Sequence, residues 1–271
     1  DAINVDGPDA RPVRDFFINN ALSWAHEYQI DGLRLDATHA IIDDGPRHLL
    51  AELADAVRAS LPARQFLLIA ENDKNDPGIV RADGWNLDGV WADDFHHQLR
   101  VALTGEQDGY YGNYSGSVED LAATLRQGWF YQGQFSPGDG HHRGAPADDV
   151  PPARFVYCIQ NHDQVGNRAL GERLNHDVPL DAYRAASALL LLAPQTPLLW
   201  MGQEWAASAP FLFFTDHSPE LGRLVTEGRR REFAHFAAFS GATVPDPQAA
   251  ETFERSRLDW AERARAPHAG V

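Results

Sequence analysis

Five apolar residues in a row, Phe66-Leu67-Leu68-Ile69-Ala70, run straight into a carboxylate, Glu71. A run this short is of strand length, and its lack of polar alternation predicts cover on both faces, as in a parallel sheet layered with helices. Parallel neighbours cannot be joined by a tight turn, so each strand needs a crossover, usually helical. The rest of the chain has that rhythm. Leu33 and Leu35 alternate with Gly32, Arg34 and Asp36, which predicts a strand over 33–37, and further strands are predicted at 87–92, 155–160 and 197–201. Asp9, Arg11 and Pro12 mark a helix start, and Val13, Phe17, Ala21, Trp24 and Tyr28 follow at helical spacing as its buried face. Leu49, Leu50, Leu53, Ala54, Val57 and Leu61 mark the next helix, stopped by Pro62. Helices are also predicted after Asp93-Asp94, after the capping pair Ser117 and Asp120, and over 181–192, 219–239 and 251–264. The stretch 128–152, rich in Gly, Pro, His and Asp, reads as a long loop, and 211–214 as a short strand or a buried loop.

Polar groups gather where the strands end: Asp36, Glu71, Asp93-Asp94, His162-Asp163 and Gln203-Glu204. In a (β/α)8 TIM barrel the C-terminal strand ends converge on one active face, and this distribution fits that arrangement. A doubly wound open sheet also uses its strand ends, but no glycine-rich phosphate loop stands at any strand-to-helix turn. The expected fold is therefore α/β and of the barrel kind, with five recognisable strands where a closed barrel has eight.

The formal net charge is −16, from 39 acidic and 23 basic side chains, which repels polyphosphates and anionic membranes and argues against nucleic acid as a partner. An uncharged ligand meets no such barrier. Seven Trp, seven Tyr and fourteen Phe provide flat apolar faces suited to stacking on sugar rings. The single cysteine, Cys158, lies in an apolar run and reads as a buried, inert thiol. No apolar stretch is long enough to span a bilayer, and the cytoplasm is the expected compartment.

Arg34 and Asp36 share a strand face, and a guanidinium beside a carboxylate favours its ionised form, which is what a nucleophile needs. Any one of these carboxylates taken singly reads first as a helix cap or an ion pair. Together, however, Gly32-Leu33-Arg34-Leu35-Asp36-Ala37, Ile69-Ala70-Glu71 and Gln160-Asn161-His162-Asp163 resemble, in order and separation, three motifs of the α-amylase superfamily of retaining glycoside hydrolases. Within it, Glu71-Asn72-Asp73-Lys74-Asn75-Asp76, Asp93-Asp94-Phe95-His96-His97, Gly128-Trp129-Phe130-Tyr131-Gln132-Gly133 and the run from Asn161 to Arg168 look most like the branch that releases trehalose from maltooligosyl-trehalose. The superfamily's remaining motif, an Asp followed by Asn-His at the end of the third strand, is absent. That absence is read as strands 4 to 8 of a barrel, excised from a longer chain that holds the missing barrel half and any flanking β domains. Residues 1–271 are then a single catalytic-barrel segment.

The resemblance implies Asp36 as nucleophile, Glu71 as proton donor and acceptor, and Asp163 as the acid that holds sugar hydroxyls and steadies the oxocarbenium-like transition state. It also implies that Arg34, His39, His162, Gln164 and Asn167 face the substrate. Asp93, Asp94 and His97 are candidates for the cleft wall. Trp129, Phe130, Tyr131 and Gln132 are candidates for recognising the bend of the trehalose end, with hydrophobic packing an equal alternative for the aromatics. His141 and His142 read as solvated. No cofactor is expected, and no metal, because no helical His-x-x-x-His pair is present and His162-Asp163 ends an apolar strand. Two other functions stay open at this point: a glucan-branching or other transglycosylase using the same three acids, and a non-catalytic carbohydrate-binding barrel.

Overall fold

The computed structural model describes residues 3–233 and 244–271. In chain order the elements are α1 (Arg11–His26), β1 (Gly32–Leu35), α2 (Leu49–Ser60), β2 (Leu67–Ala70), β3 (Gly89–Trp91), α3 (Asp94–Thr104), α4 (Val118–Gln127), β4 (Gln132–Ser136), β5 (His141–Gly144), β6 (Phe155–Cys158), α5 (His162–Gly166), α6 (Leu174–Asp177), α7 (Leu180–Leu192), β7 (Thr196–Leu198), α8 (Pro219–Phe233) and α9 (Ala250–Arg255). They form two compact units. The first is the described part of Asp1–Ala102 with Glu106–Tyr157 and Ala193–Pro197, and the second is the described part of Leu103–Gly105, Cys158–Leu192 and Leu198–Val271.

All five predicted strands are present, in one sheet of order β1-β2-β3-β6-β7. Where register is fixed the pairing is parallel: Leu35 lies beside Ala70, Ala70 beside Val90, and Trp91 beside Val156. Gly32 is required where β1 meets β2, because an added methyl would stand 2.6 Å from the Leu67 carbonyl oxygen. Cover on both faces holds for β3 and β6, whose residues are buried throughout, but not for β2. There Leu68 and Ala70 are buried while Leu67 is exposed, since the outer neighbour β1 is itself only half-buried.

Helix α1 presents a different face from the one its aromatics predict. Arg14, Ile18, Ala21 and Ala25 are buried, whereas Trp24 and Tyr28 are exposed and pack on each other with ring centroids 4.6 Å apart. Arg14 is tied down within that face, 2.8 Å from Asp43 and 2.7 Å from Glu52. Asp9 does not cap α1; the N-cap is Ala10, without a side-chain bond. Ser117, by contrast, accepts the Asp120 N–H at 3.1 Å as its spacing predicts.

The 128–152 stretch is not loop throughout, for it contains the antiparallel hairpin β4–β5. Three of the five β4 residues are exposed, so the apolar alternation that betrays most strands is missing. Residues 211–214 form no strand, and 251–264 is helix only in part, as α9 followed by a 3-10 turn at Trp260–Ala264. The predicted helix at 219–239 is α8 as far as 233; its end lies outside the described residues.

The second unit is organised around buried polar groups. The Tyr183 hydroxyl donates to the Gln203 carbonyl at 2.8 Å, and Gln160 accepts the Leu174 N–H at 3.0 Å. Arg173, fully buried, donates to the carbonyls of Met201 at 2.8 Å and Ala209 at 2.7 Å. Among the described residues no helix is long and apolar enough to cross a membrane.

Candidate active site

The parallel register of β1, β2 and β3 carries Asp36, Glu71 and Trp91 to the same end of the sheet, one step past the rank of Leu35, Ala70 and Val90. Beyond β1 the chain turns sharply at Ala37, whose φ of 43° and ψ of 46° lie in the left-handed region. That conformation is unfavourable for a residue with a Cβ, and here it aims the Ala37 N–H at Glu71 Oε2, 2.6 Å away. The Glu71 main chain is gripped by the same turn: its carbonyl accepts the Thr38 N–H at 3.0 Å and the Thr38 hydroxyl at 2.8 Å. Asn72 donates to that hydroxyl at 2.9 Å.

The two carboxylates differ in access. The Asp36 side chain is 79% exposed and that of Glu71 18%. One guanidinium serves both, since Arg34 Nη1 is bonded to Asp36 Oδ1 and its Nη2 stands 3.7 Å from Glu71 Oε2. The Arg34 Cζ lies 4.4 Å from the centroid of the Trp91 ring, a cation–π contact. His39, in the turn after Ala37, brings Nδ1 to 3.6 Å from Asp73 Oδ1. The two acids thus share one guanidinium but differ in access, Asp36 being open to solvent and Glu71 enclosed with one oxygen fixed by the Ala37 N–H.

Asp94 is a different kind of acid, and its expected place on a cleft wall is corrected here. It is fully buried at the start of α3, with Oδ2 accepting from Asn75 Nδ2 at 2.7 Å and from the N–H groups of Phe130 at 2.8 Å and Tyr131 at 3.0 Å. Its Oδ1 accepts the Tyr114 hydroxyl at 2.6 Å and lies 3.5 Å from Arg143. Burial, then the Asp94 charge, push the Tyr114 phenol well above its ordinary value and keep it a donor. Arg143, on β5, also donates to the Asp73 carbonyl at 3.0 Å. Asp94 thus ties together the loop after Glu71, the 128–131 turn and the hairpin.

His97 and Trp129 are likewise enclosed rather than presented to a ligand. His97 sits among Tyr110, Tyr111 and Tyr114, with Nδ1 3.1 Å from His96 Nδ1, and burial pulls its imidazole down to about 3. Trp129 has no exposed surface; its indole N–H donates to the Ala145 carbonyl at 2.9 Å and its ring meets Phe155 edge-on. Tyr131 is buried as well, in the cluster with Val101, Tyr111 and Tyr114. Gln132 is half-buried, donating to the Gln127 carbonyl at 3.2 Å, and Asp93 is half-buried with its carbonyl accepting the His97 N–H at 2.9 Å.

In the second unit, Asn161 caps the short helix α5 by accepting the N–H groups of Asp163 at 3.0 Å and Gln164 at 2.7 Å. His162 Nε2 and Asp163 Oδ2 are 3.2 Å apart, and both side chains are open to solvent, 42% and 47% exposed. Gln164 is half-buried, and Asn167 reaches Asp163 Oδ1 at 3.4 Å. Among the described residues no cluster of three or more His, Cys, Asp and Glu could hold a metal ion.

Three contributors went unnoticed in the sequence. Trp91 had a signal, being an aromatic one residue past the rank of Val90 and two before Asp93. Asn75 lies in the 71–76 run quoted for the resemblance, but nothing there points to Asp94, and Arg143 reaches Asp94 from a hairpin that carries no apolar pattern.

The chain is 53% identical over 261 residues to a malto-oligosyltrehalose trehalohydrolase of Deinococcus radiodurans, covering 95% of this chain and 42% of that one. It is 47% identical over 278 residues to the enzyme of the same name from Arthrobacter ramosus, covering 100% and 48%. A crystal structure of a Salmonella typhimurium protein designated an alpha amylase superposes with a TM-score of 0.88 at 42% identity, over 95% of this chain and 44% of that one. The five-stranded sheet is accordingly part of a (β/α)8 barrel, and the chain spans less than half the length of these relatives. No family profile matches it.

Proposed function

We infer that this chain, a relative of the malto-oligosyltrehalose trehalohydrolases within the α-amylase superfamily, supplies the catalytic carboxylates of a larger cytoplasmic enzyme. That enzyme hydrolyses the α-1,4-glucosidic bond next to the terminal trehalose of maltooligosyl-trehalose. The observation that carries this reading is the pairing of an open Asp36 with an enclosed Glu71 across one guanidinium. In the first step an Asp36 oxygen bonds to the anomeric carbon as the bond to the leaving oxygen breaks, and Glu71 gives that oxygen its proton. In the second, water attacks the same carbon, Glu71 takes the water's proton and the Asp36 ester bond breaks. Two inversions leave the configuration retained, which requires carboxyl groups about 5 to 5.5 Å apart. Asp163 and His162, with Gln164 and Asn167 beside them, hold the hydroxyls of the sugar being cleaved, and His39 is assigned to the same sugar. The missing barrel half is a segment of the same longer chain.

Turnover of maltooligosyl-trehalose and of plain maltodextrin by the complete enzyme, read by product analysis, tests the reading. Free trehalose is expected from the first substrate, at a rate well above glucan cleavage in the second. New branches or transferred chains would make it a transglycosylase, and no turnover would make it a binding barrel.

A further inference from the structure

We propose that Trp91 is a positioning residue for the reaction, one that fixes the Arg34 guanidinium between Asp36 and Glu71; the inference rests on the roles given to those acids above. A guanidinium between two carboxylates has two competing partners. Left to itself it would close on whichever acid approached more easily, and Asp36, the exposed one, is free to swing with it. A third contact is needed to hold the fork in place.

Trp91 meets that need by position and by rigidity. It is the last residue of β3, next to β2 on one side and paired with Val156 of β6 on the other, and only 9% of it is exposed. Its ring plane is therefore set by the sheet rather than by solvent. The Arg34 Cζ stands over that plane at 4.4 Å, and Arg34 itself projects from β1, two strands away. The contact spans β2, on which Glu71 follows directly, so the guanidinium must pass beside Glu71 to reach the indole. Stacking on a fixed aromatic face confines the guanidinium plane, which leaves Nη1 for Asp36 and Nη2 toward Glu71. Nothing in this arrangement puts the indole on the reacting atoms. Its proposed effect runs through Arg34.

The test is a double-substitution cycle in the complete enzyme, with kcat and KM measured on maltooligosyl-trehalose. Trp91→Leu is expected to lower kcat at least tenfold with KM changed less than threefold, whereas Trp91→Phe, which keeps a π face, stays within threefold of the parent. In an Arg34→Lys background, adding Trp91→Leu should cost less than a further twofold. Equal losses in the Leu and Phe variants, or the same loss with and without Arg34, would overturn the proposal. Should Trp91→Leu fail to fold, the parent protein provides its own measurement. The ring current should place the Arg34 Nε–H proton upfield of unstacked arginines, and an unshifted resonance would refute the contact. That resonance does not depend on turnover, so an enzyme inactive on the substrate but showing it would sink the functional reading and leave the Arg34–Trp91 contact standing without a catalytic role.

Discussion

Two strand ends in the first unit each carry an acid, and the structure treats them in opposite ways. At the end of β1, Asp36 is open, with its bond to Arg34 as the anchor seen. Just past β3, Asp94 is buried, and its two oxygens accept four hydrogen bonds from Asn75, Tyr114, Phe130 and Tyr131. A carboxylate whose acceptor sites are filled by the protein has nothing left for a ligand, while an exposed one held at a single oxygen does. The comparison separates an acid suited to chemistry from one that clamps loops.

Exchanging the acids for neutral groups should therefore give opposite signatures. Asp36→Asn and Glu71→Gln are expected to cut turnover by ~10³-fold or more while the melting temperature stays close to the parent's. A large stability loss in Asp36→Asn would break the contrast. Asp94→Ala should do the reverse in kind, destabilising by about 3 to 5 kcal/mol, because it removes a charge partner of Arg143 and leaves several buried donors unpaired. Urea unfolding at a fixed pH measures it, and a change under 1 kcal/mol would show that Asp94 is not the clamp described.

His97 sharpens the same contrast through pH. Burial, opposed by Asp94 and assisted by Arg143, holds it down at about 3, against an ordinary value of 6.5. Below 6.5 the unfolded chain binds a proton that the folded one refuses, so this contribution is complete above that pH and is lost as pH falls toward 3. The slope reaches about 1.4 kcal/mol per pH unit. His97→Gln should flatten the fall in stability between pH 6.5 and 5, and an unchanged slope would place the titration elsewhere. The smallest effect belongs to Ala37→Gly, which relieves the left-handed turn and should change stability by no more than about 1 kcal/mol in either direction, since glycine's extra unfolded-state freedom offsets the relief. A larger loss would mean that the Ala37 methyl, and not just its N–H, supports Glu71.

The parallel sheet was readable because apolar runs, strand-end acids and intervening helical spacing all repeat the same architecture. The facing of helix α1 was not legible, because the large rings of Trp24 and Tyr28 suggest a buried stripe, whereas the buried positions are the small Ala21 and Ala25 with Ile18 and Arg14. The hairpin β4–β5 was invisible since most of β4 and half of β5 lie exposed, leaving no apolar alternation to mark the strands. That Asp94 is saturated was hidden for a related reason, because its partners Asn75, Tyr114 and the 128–131 turn come from segments far from it in the chain.

The central claim is that Asp36 attacks the sugar while Asp94, equally acidic in sequence, cannot. Trapping the complete enzyme with a fluorinated maltooligosyl fluoride, followed by proteolysis and mass spectrometry, addresses it directly. The account predicts a glycosyl ester on the peptide that carries Asp36 and no adduct on the one that carries Asp94. An adduct on Glu71, Asp94 or Asp163, or none under conditions where the anomer first released is inverted, would contradict it.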